Sequence, residues 1–232
     1  MSGTIENRES FLQNIASKLN RKAGEYVKTP EWTHQPQFGV RRGASRRELT
    51  DVLKNAAEAV YTKVFETDAA GLPDQLDQVI QEYGGAPAIA TRDGRFTEYG
   101  LNSLFEKYHI ETWNVAEGHK NIDRAAQANI GLSVCDVMLA ESATAGLYHD
   151  KDKARSVSLL PVASIVIVPA SVIVPRLTQA MQQVESDIAD GKEISHYINF
   201  ISGPSNSADI EMRLVVGVHG PVKVAYVVVS DR

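Results

Sequence analysis

The chain has 232 residues, 43% of them hydrophobic, and a formal net charge of −5. That length buries the core of one large domain or two small ones without disulfides or metals, and the hydrophobic content excludes disorder of the whole chain. The acidic balance argues against a general nucleic-acid binder, which needs a basic face; the single cysteine, Cys135, excludes an internal disulfide and a four-thiolate iron–sulfur cluster held by this chain alone.

The first residues, MSGTIENRESF, are polar and lack the apolar core of a signal peptide. Phe11, Leu12, Ile15 and Leu19 then recur at the spacing of one helix face. TPEWTHQPQFGVRRG has no periodicity, and Pro30 and Pro36 keep it extended. Trp32 and Phe38 are expected to pin this arm to the body. Arg41, Arg42, Arg46 and Arg47 read as a solvated approach to a helix, or as a phosphate or partner patch. The chain thus divides into a helical and extended arm, 1–47, and an α/β domain, 48–232.

Ser45 and Glu48 have the spacing of a capping box. The helix they open is expected to align Leu49, Val52, Leu53, Ala56, Val60 and Val64 on one face. A second helix carries Leu76, Val79, Ile80 and Tyr83 and stops at Gly84-Gly85. From there short apolar runs alternate with helical ones. Strands are expected at APAIAT, IETWNV, SVCDVMLA, SLLP, SIVIVP, HYINFIS, LVVGV and VKVAYVVV. Helices are expected at LNSLFEKY, NIDRAAQAN, SNSADIEM and PRLTQAMQQVESDIADG, the last with Leu177, Ala180, Met181, Val184 and Ile188 on one stripe. This alternation predicts an α/β fold with a largely parallel sheet. SIVIV has no polar alternation, as a central strand covered on both faces requires. HGP between the last two strands predicts a tight reversal and an antiparallel edge near the C-terminus. SIVIVPASVIVP is too short for a bilayer of ~30 Å, so the expectation is a cytoplasmic protein with no membrane and no nucleic acid as partner.

Ligands of open α/β sheets bind beyond the carboxyl ends of the strands. Glu141-Ser142-Ala143-Thr144 and Ser202-Gly203-Pro204-Ser205-Asn206-Ser207 each follow a predicted strand. Gly203 permits close backbone approach, and a helix start behind it presents free N–H groups to an anion. Equally, Ser205 or Asn206 caps that helix. Asp209 and Glu211 suit a positive helix end and oppose an anionic ligand. Glu141 is a candidate nucleophile or base, or a tie between loops. His219 is a candidate acid–base group, or a structural donor. Ser156 and Ser158, beside Arg155, are placed near the same rim. The histidines form no H-x-x-x-H pair, so no metal site is expected.

The stretch ISGPSNSADIEMRLVVGVHGPVKVAYVVV resembles the C-terminal signature of the lactate utilization protein C (LutC) family, whose fold unit is the LUD domain. AESATAG, ARSVSLLPVASIVIVP, IVPRLTQAM and the opening GTIENRESFLQNIASKLNR are similar to that family in the same order. The resemblance implies a Rossmann-like sheet with helices on both faces, like ribose-5-phosphate isomerase, glucosamine-6-phosphate deaminase and the CoA transferases (the NagB/RpiA/CoA transferase-like folds). It implies a non-redox component of the oxidation of L-lactate to pyruvate, acting with iron–sulfur lactate utilization proteins of the LutA and LutB type. Clusters are then expected in those partners and no cofactor in this chain. The implied pocket holds Glu141, Ser142, Thr144, Ser205, Asp209 and His219, with a small anion as ligand. The alternative is a stand-alone enzyme of CoA-transferase or sugar-phosphate isomerase type, with Glu141 as nucleophile or base. One departure stands out: the family's glutamate loop is expected to carry Gly where this chain has Ala143.

Overall fold

The structure, a computed structural model, describes residues 5–208 and 211–232. The chain forms two units, Met1–Pro36 and Gln37–Arg232. The first contains α1 (Arg8–Lys18), the helix that the Phe11–Leu19 stripe predicts. Phe11, Ile15 and Leu19 are exposed, as is Trp32. In the second unit Phe38 is also exposed, so the two expected anchors are not buried.

The second unit is built on a six-stranded sheet, and every pairing in it is parallel. In chain order its elements begin with α2 (Arg46–Ala59), β1 (Thr62–Thr67), α3 (Leu72–Glu82) and β2 (Ala88–Ala90). Then come α4 (Arg95–Glu98), α5 (Asn102–Tyr108), β3 (Glu111–Thr112), α6 (His119–Gln127) and β4 (Ile130–Val134). The chain continues through β5 (Val137–Leu139), β6 (Thr144–His149), α7 (Ser156–Leu159), β7 (Ala163–Pro169), β8 (Ile173–Val174) and α8 (Leu177–Ala189). It ends with β9 (Tyr197–Ser202), β10 (Asn206–Ser207), β11 (Val215–Val216) and β12 (Lys223–Val229). The sheet order is β1-β12-β7-β4-β2-β3, and a smaller sheet runs β8-β5-β6-β9.

The period of two along the central strands sorts their side chains to two faces. Ile165, Ile167, Ala225 and Val227 pack with Leu72, Leu76 and Ile80 of α3 and with Phe96 and Leu104 of the next helices. Val166, Val168, Val224 and Tyr226 pack with Leu49 and Leu53 of α2 and with Met138, Ala145 and Leu147 of the smaller sheet. Ile89 meets Ala125 of α6 and Val157 of α7. Helices therefore cover both faces, and one face also carries the second sheet. Gly131 explains how α7 comes so close. A Cβ on it would run into the Val157 carbonyl.

The capping box of α2 is present, with the Ser45 side chain accepting from the Glu48 N–H and Glu48 reaching back. The helix ends earlier than expected, however. Val60 is its C-cap, Tyr61 turns at φ 54°, and Val64 lies in β1. Val60 and Val64 are four apart, a spacing that helix and strand periods both satisfy. SLLP is no strand: Ser158 and Leu159 end α7, Leu160 is its C-cap and Pro161 follows. SVCDVMLA is two strands, parted at Cys135-Asp136. SNSADIEM forms no helix among its described residues; Asn206–Ser207 instead pairs antiparallel with Val215–Val216. HGP leads into β12, which runs parallel between β1 and β7. The antiparallel strands near the C-terminus are thus β9, β10 and β11.

The Cys135-Asp136 break is held by charge. The Arg95 guanidinium donates to Asp93 through Nε at 2.9 Å and to Asp136 Oδ1 through Nη2 at 2.8 Å. It also donates to the carbonyls of Val134 and Cys135. Asp136 accepts the Tyr148 N–H at 2.8 Å, and Lys153 lies 3.4 Å from it. Burial alone would raise the Asp93 carboxyl. The bonds and charge of Arg95 outweigh burial and hold it below the usual carboxylate range. A depressed folded pKa stabilises above the unfolded pKa, and that contribution is lost as pH falls through the folded value. Arg95→Met leaves the part-buried Asp93 carboxylate without its ion-pair partner, strips Asp136 of the closer of its two cations, and is expected to cost about 3–5 kcal/mol at neutral pH. The deficit is expected to shrink as acid protonates Asp93, which urea unfolding across a pH series measures.

Candidate functional site

A cavity of about 330 Å³ lies between the two sheets. Ser164 and Val166 of β7 and Val224 and Tyr226 of β12 form one wall. Ala145 and Leu147 of β6 and Phe200, Ile201 and Ser202 of β9 form the other. Ser158 and Leu159 of α7 close one end, and residues 203–206 and 219–221 make the mouth. The cavity opens at the amino-terminal halves of β7 and β12. The expected carboxyl rim is the opposite end of these strands.

Of the residues singled out in the sequence, Gly203, Ser205, Asn206 and His219 line this cavity together. The mouth is knitted by backbone bonds. The Ser205 N–H donates to the Pro221 carbonyl at 2.9 Å, and the Gly217 N–H donates to the Ser205 carbonyl at 2.8 Å. Ser205 Oγ accepts from the His219 N–H at 3.3 Å, and Asn206 Nδ2 donates to the Pro204 carbonyl. Capping is not the role of Ser205 or Asn206, because no helix follows them among the described residues. Gly203 sits at φ 70°, and a Cβ on it would strike the Val60 carbonyl at the end of α2. Its close approach is to the protein's own backbone. Asp209 lies outside the described residues. Glu211 is exposed at φ 52° and does not line the cavity. Ser156 opens α7 without lining it.

The glutamate loop stands behind the cavity rather than in its lining. Glu141 Oε1 accepts from Arg41 Nε at 2.8 Å, and Oε2 accepts from Arg176 Nε. Those bonds, with Arg176 first, hold its carboxyl below the usual range. Ser142 and Thr144 bond each other through their hydroxyls at 2.7 Å. Ser202 Oγ donates to the Ser142 carbonyl at 2.8 Å, and Tyr226 Oη donates to the Ala143 carbonyl at 2.9 Å. The loop therefore braces two residues of the cavity wall. Ala143 takes φ 45° with its methyl fully buried, so the left-handed turn expected of a glycine is kept with alanine.

Neither spacing nor motif singles out Ser164 or Tyr226 as a site residue, and Ser202 enters only as the first residue of the loop after its strand. A serine within the apolar run ASIVIVP is the signal that could have marked Ser164. Among the described residues, no Lys, Arg, Asp or Glu lines the cavity, and no group of three metal-binding side chains is assembled. Gly203→Ala is expected to destabilise by about 3 kcal/mol, from the left-handed backbone and the Val60 clash together. Urea unfolding of the variant measures it; a loss under about 0.5 kcal/mol, the scale of a neutral surface change, contradicts the packing role.

The LUD domain pattern matches residues 50–229. Lactate utilization protein C of Bacillus subtilis is 49% identical over 99% of this chain and 99% of its own length. That of Bacillus licheniformis is 49% identical over 100% of this chain and 99% of its own. A crystal structure of a DUF162 family protein from Deinococcus radiodurans aligns with a TM-score of 0.56 at 21% identity, covering 81% of this chain and 99% of that one. The last likeness shows the fold alone, and the first three carry the kinship: this chain belongs to the lactate utilization protein C family of LUD-domain proteins.

Proposed function

We propose that this chain serves lactate utilization as a ligand-binding component without a redox centre of its own. In this reading the oxidation of L-lactate to pyruvate passes its electrons to iron–sulfur partner proteins. The observation that carries it is the near full-length identity to relatives named lactate utilization protein C. The single cysteine supports it, since Cys135 is fully buried and burial pushes its thiol up. A thiol in that state is a poor metal ligand or nucleophile.

The stand-alone transferase or isomerase reading has less behind it. A carboxylate nucleophile needs a free oxygen facing its substrate, and Glu141 spends both oxygens on Arg41 and Arg176. It also stands outside the cavity lining. Each partner is part-exposed, so each pair is worth about 0–1 kcal/mol.

Deleting this chain from a strain with no second copy is expected to abolish growth on L-lactate, and the wild-type chain is expected to restore it. Glu141→Gln is expected to restore growth too, because the amide oxygen still accepts from an arginine. A deletion strain that grows normally on L-lactate overturns the lactate role. A folded Glu141→Gln chain that fails to restore growth favours the enzyme.

A further inference from the structure

Thr91 and Ser133 stand side by side where β2 and β4 end. Ala90 pairs with Leu132 in the parallel register, and the Thr91 N–H donates to the Leu132 carbonyl at 3.1 Å. Thr91 and Ser133 are therefore the next pair, with their side chains on one face of the sheet. Leu132 packs on the opposite face with α3, so the pair is turned toward the smaller sheet. His149, the last residue of β6, meets them there. The chain diverges at this place: β2 leads outward to β3, and β4 leads the other way to β7. Such switch points, at the carboxyl ends of strands, are where open α/β sheets take ligands.

The three side chains surround a second, small cavity of about 10 Å³, lined also by Asp136, Leu147 and Ser158. Thr91 and Ser133 are only 5% and 3% exposed. Thr91 Oγ1, Ser133 Oγ and His149 Nε2 are each shut off from bulk solvent, and none bonds another protein atom. The other ring nitrogen fixes what His149 offers. Nδ1 lies 2.7 Å from the Lys153 carbonyl, which only accepts, so Nδ1 carries the hydrogen. Burial pushes the ring below the usual histidine value, so it is neutral at neutral pH. Nε2 is then a bare lone pair. Left dry, two hydroxyls and a lone pair each forfeit the hydrogen bond that water gives them in the unfolded chain. Cavities that stay empty are apolar; this one is polar and of the size that admits one water.

We infer that this small cavity is a binding site for one water molecule, held by Thr91 Oγ1, Ser133 Oγ and His149 Nε2. Donors and acceptors balance there. The water gives one hydrogen to Nε2 and takes the two hydroxyl hydrogens on its lone pairs, the three bonds usual for a buried water. A larger ligand has no room. A metal cation finds no free carboxylate, because Asp136 Oδ1 accepts from Arg95 and lies 3.4 Å from Lys153, and Oδ2 accepts from the Tyr148 N–H. The water joins β2 and β4 of the parallel sheet to β6 of the smaller one. Leu147 and Ser158 line both this cavity and the larger one, so the water also backs an end wall of the larger.

Three measurements on the full chain test this. In its crystals one ordered water is expected within about 3.2 Å of all three atoms. The nitrogen-15 shifts of His149 at neutral pH are expected to be those of a ring protonated at Nδ1, with Nε2 accepting a hydrogen bond. Magnetic relaxation dispersion of water oxygen counts slowly exchanging internal waters. The double variant Thr91→Val with Ser133→Ala leaves the water a single partner and is expected to lower that count by about one. An unchanged count in the folded double variant overturns the inference. So does a His149 ring protonated at Nε2, a metal ion at the water position, or a crystal in which the three atoms bond one another or backbone groups directly. Should the double variant not fold, the crystal and the nitrogen-15 shifts of the wild type decide.

Discussion

The arrangement of the second unit depends on one part-buried ionic contact, Arg95 between Asp93 and Asp136. The chain leaves the parallel sheet after Val134 and enters the smaller sheet at Val137. Asp136 sits in that step. Its carboxylate is tied to Arg95 after β2 and to the Tyr148 N–H at the far end of β6. One side chain thus fixes where the second sheet departs and where its second strand returns. Taking these charges from water costs several kcal/mol per ion unless bonds satisfy them, and the guanidinium spends its donors on two carboxylates and two carbonyls. The gap between the sheets, and with it the cavity, follows from that fixed departure.

Backbone approach sets the rest of the cavity. Gly131 lets α7 settle on β4, which brings Ser158 and Leu159 to the cavity's end. Gly203 lets the mouth loop press on the end of α2 through the Val60 carbonyl. Both positions lack a Cβ because another strand or helix occupies its space. The same reasoning reverses the first reading of Gly203, where room for an anion was the expectation. A glycine in a polar loop signals a close approach and leaves open whether the neighbour is a ligand or the chain itself.

Much of the fold was legible because several elements are locally determined. The Ser45–Glu48 box, the stripe of α3 ending at two glycines, and the unbroken apolar run of β7 each carry their own physical reason. The misread segments are those where tertiary pairing decides. The helix stripe runs on to Val64, inside β1, because Val60 and Val64 fit both periods. SVCDVMLA read as one strand because no local feature says that its halves join different sheets; Arg95, forty residues earlier, says so. SNSADIEM read as a helix start on capping residues, yet Asn206 and Ser207 pair with Val216 and Val215. The site was half legible. Ser202, Ser205, Asn206, His219 and Tyr226 all lie in one signature stretch, but only the sheet packing brings Ser202, Tyr226 and the distant Ser164 to the cavity wall.

The separation of charge from the cavity is the final step in how this site is built. Glu141, Arg41 and Arg176 form a charged group just behind the wall, where each is part-exposed and water still screens it. Their effect reaches the cavity through the loop they anchor: Glu141 holds residues 142 and 143, whose carbonyls accept from Ser202 and Tyr226. Those two bonds fix which way the wall hydroxyls point. A charge placed in the lining would lose its water inside the cavity, at a cost in desolvation. Placed behind the wall, it fixes the Ser202 and Tyr226 hydroxyls at little desolvation cost. The glutamate that sequence reading offered as a nucleophile is therefore better understood as the support that sets the polarity of the site.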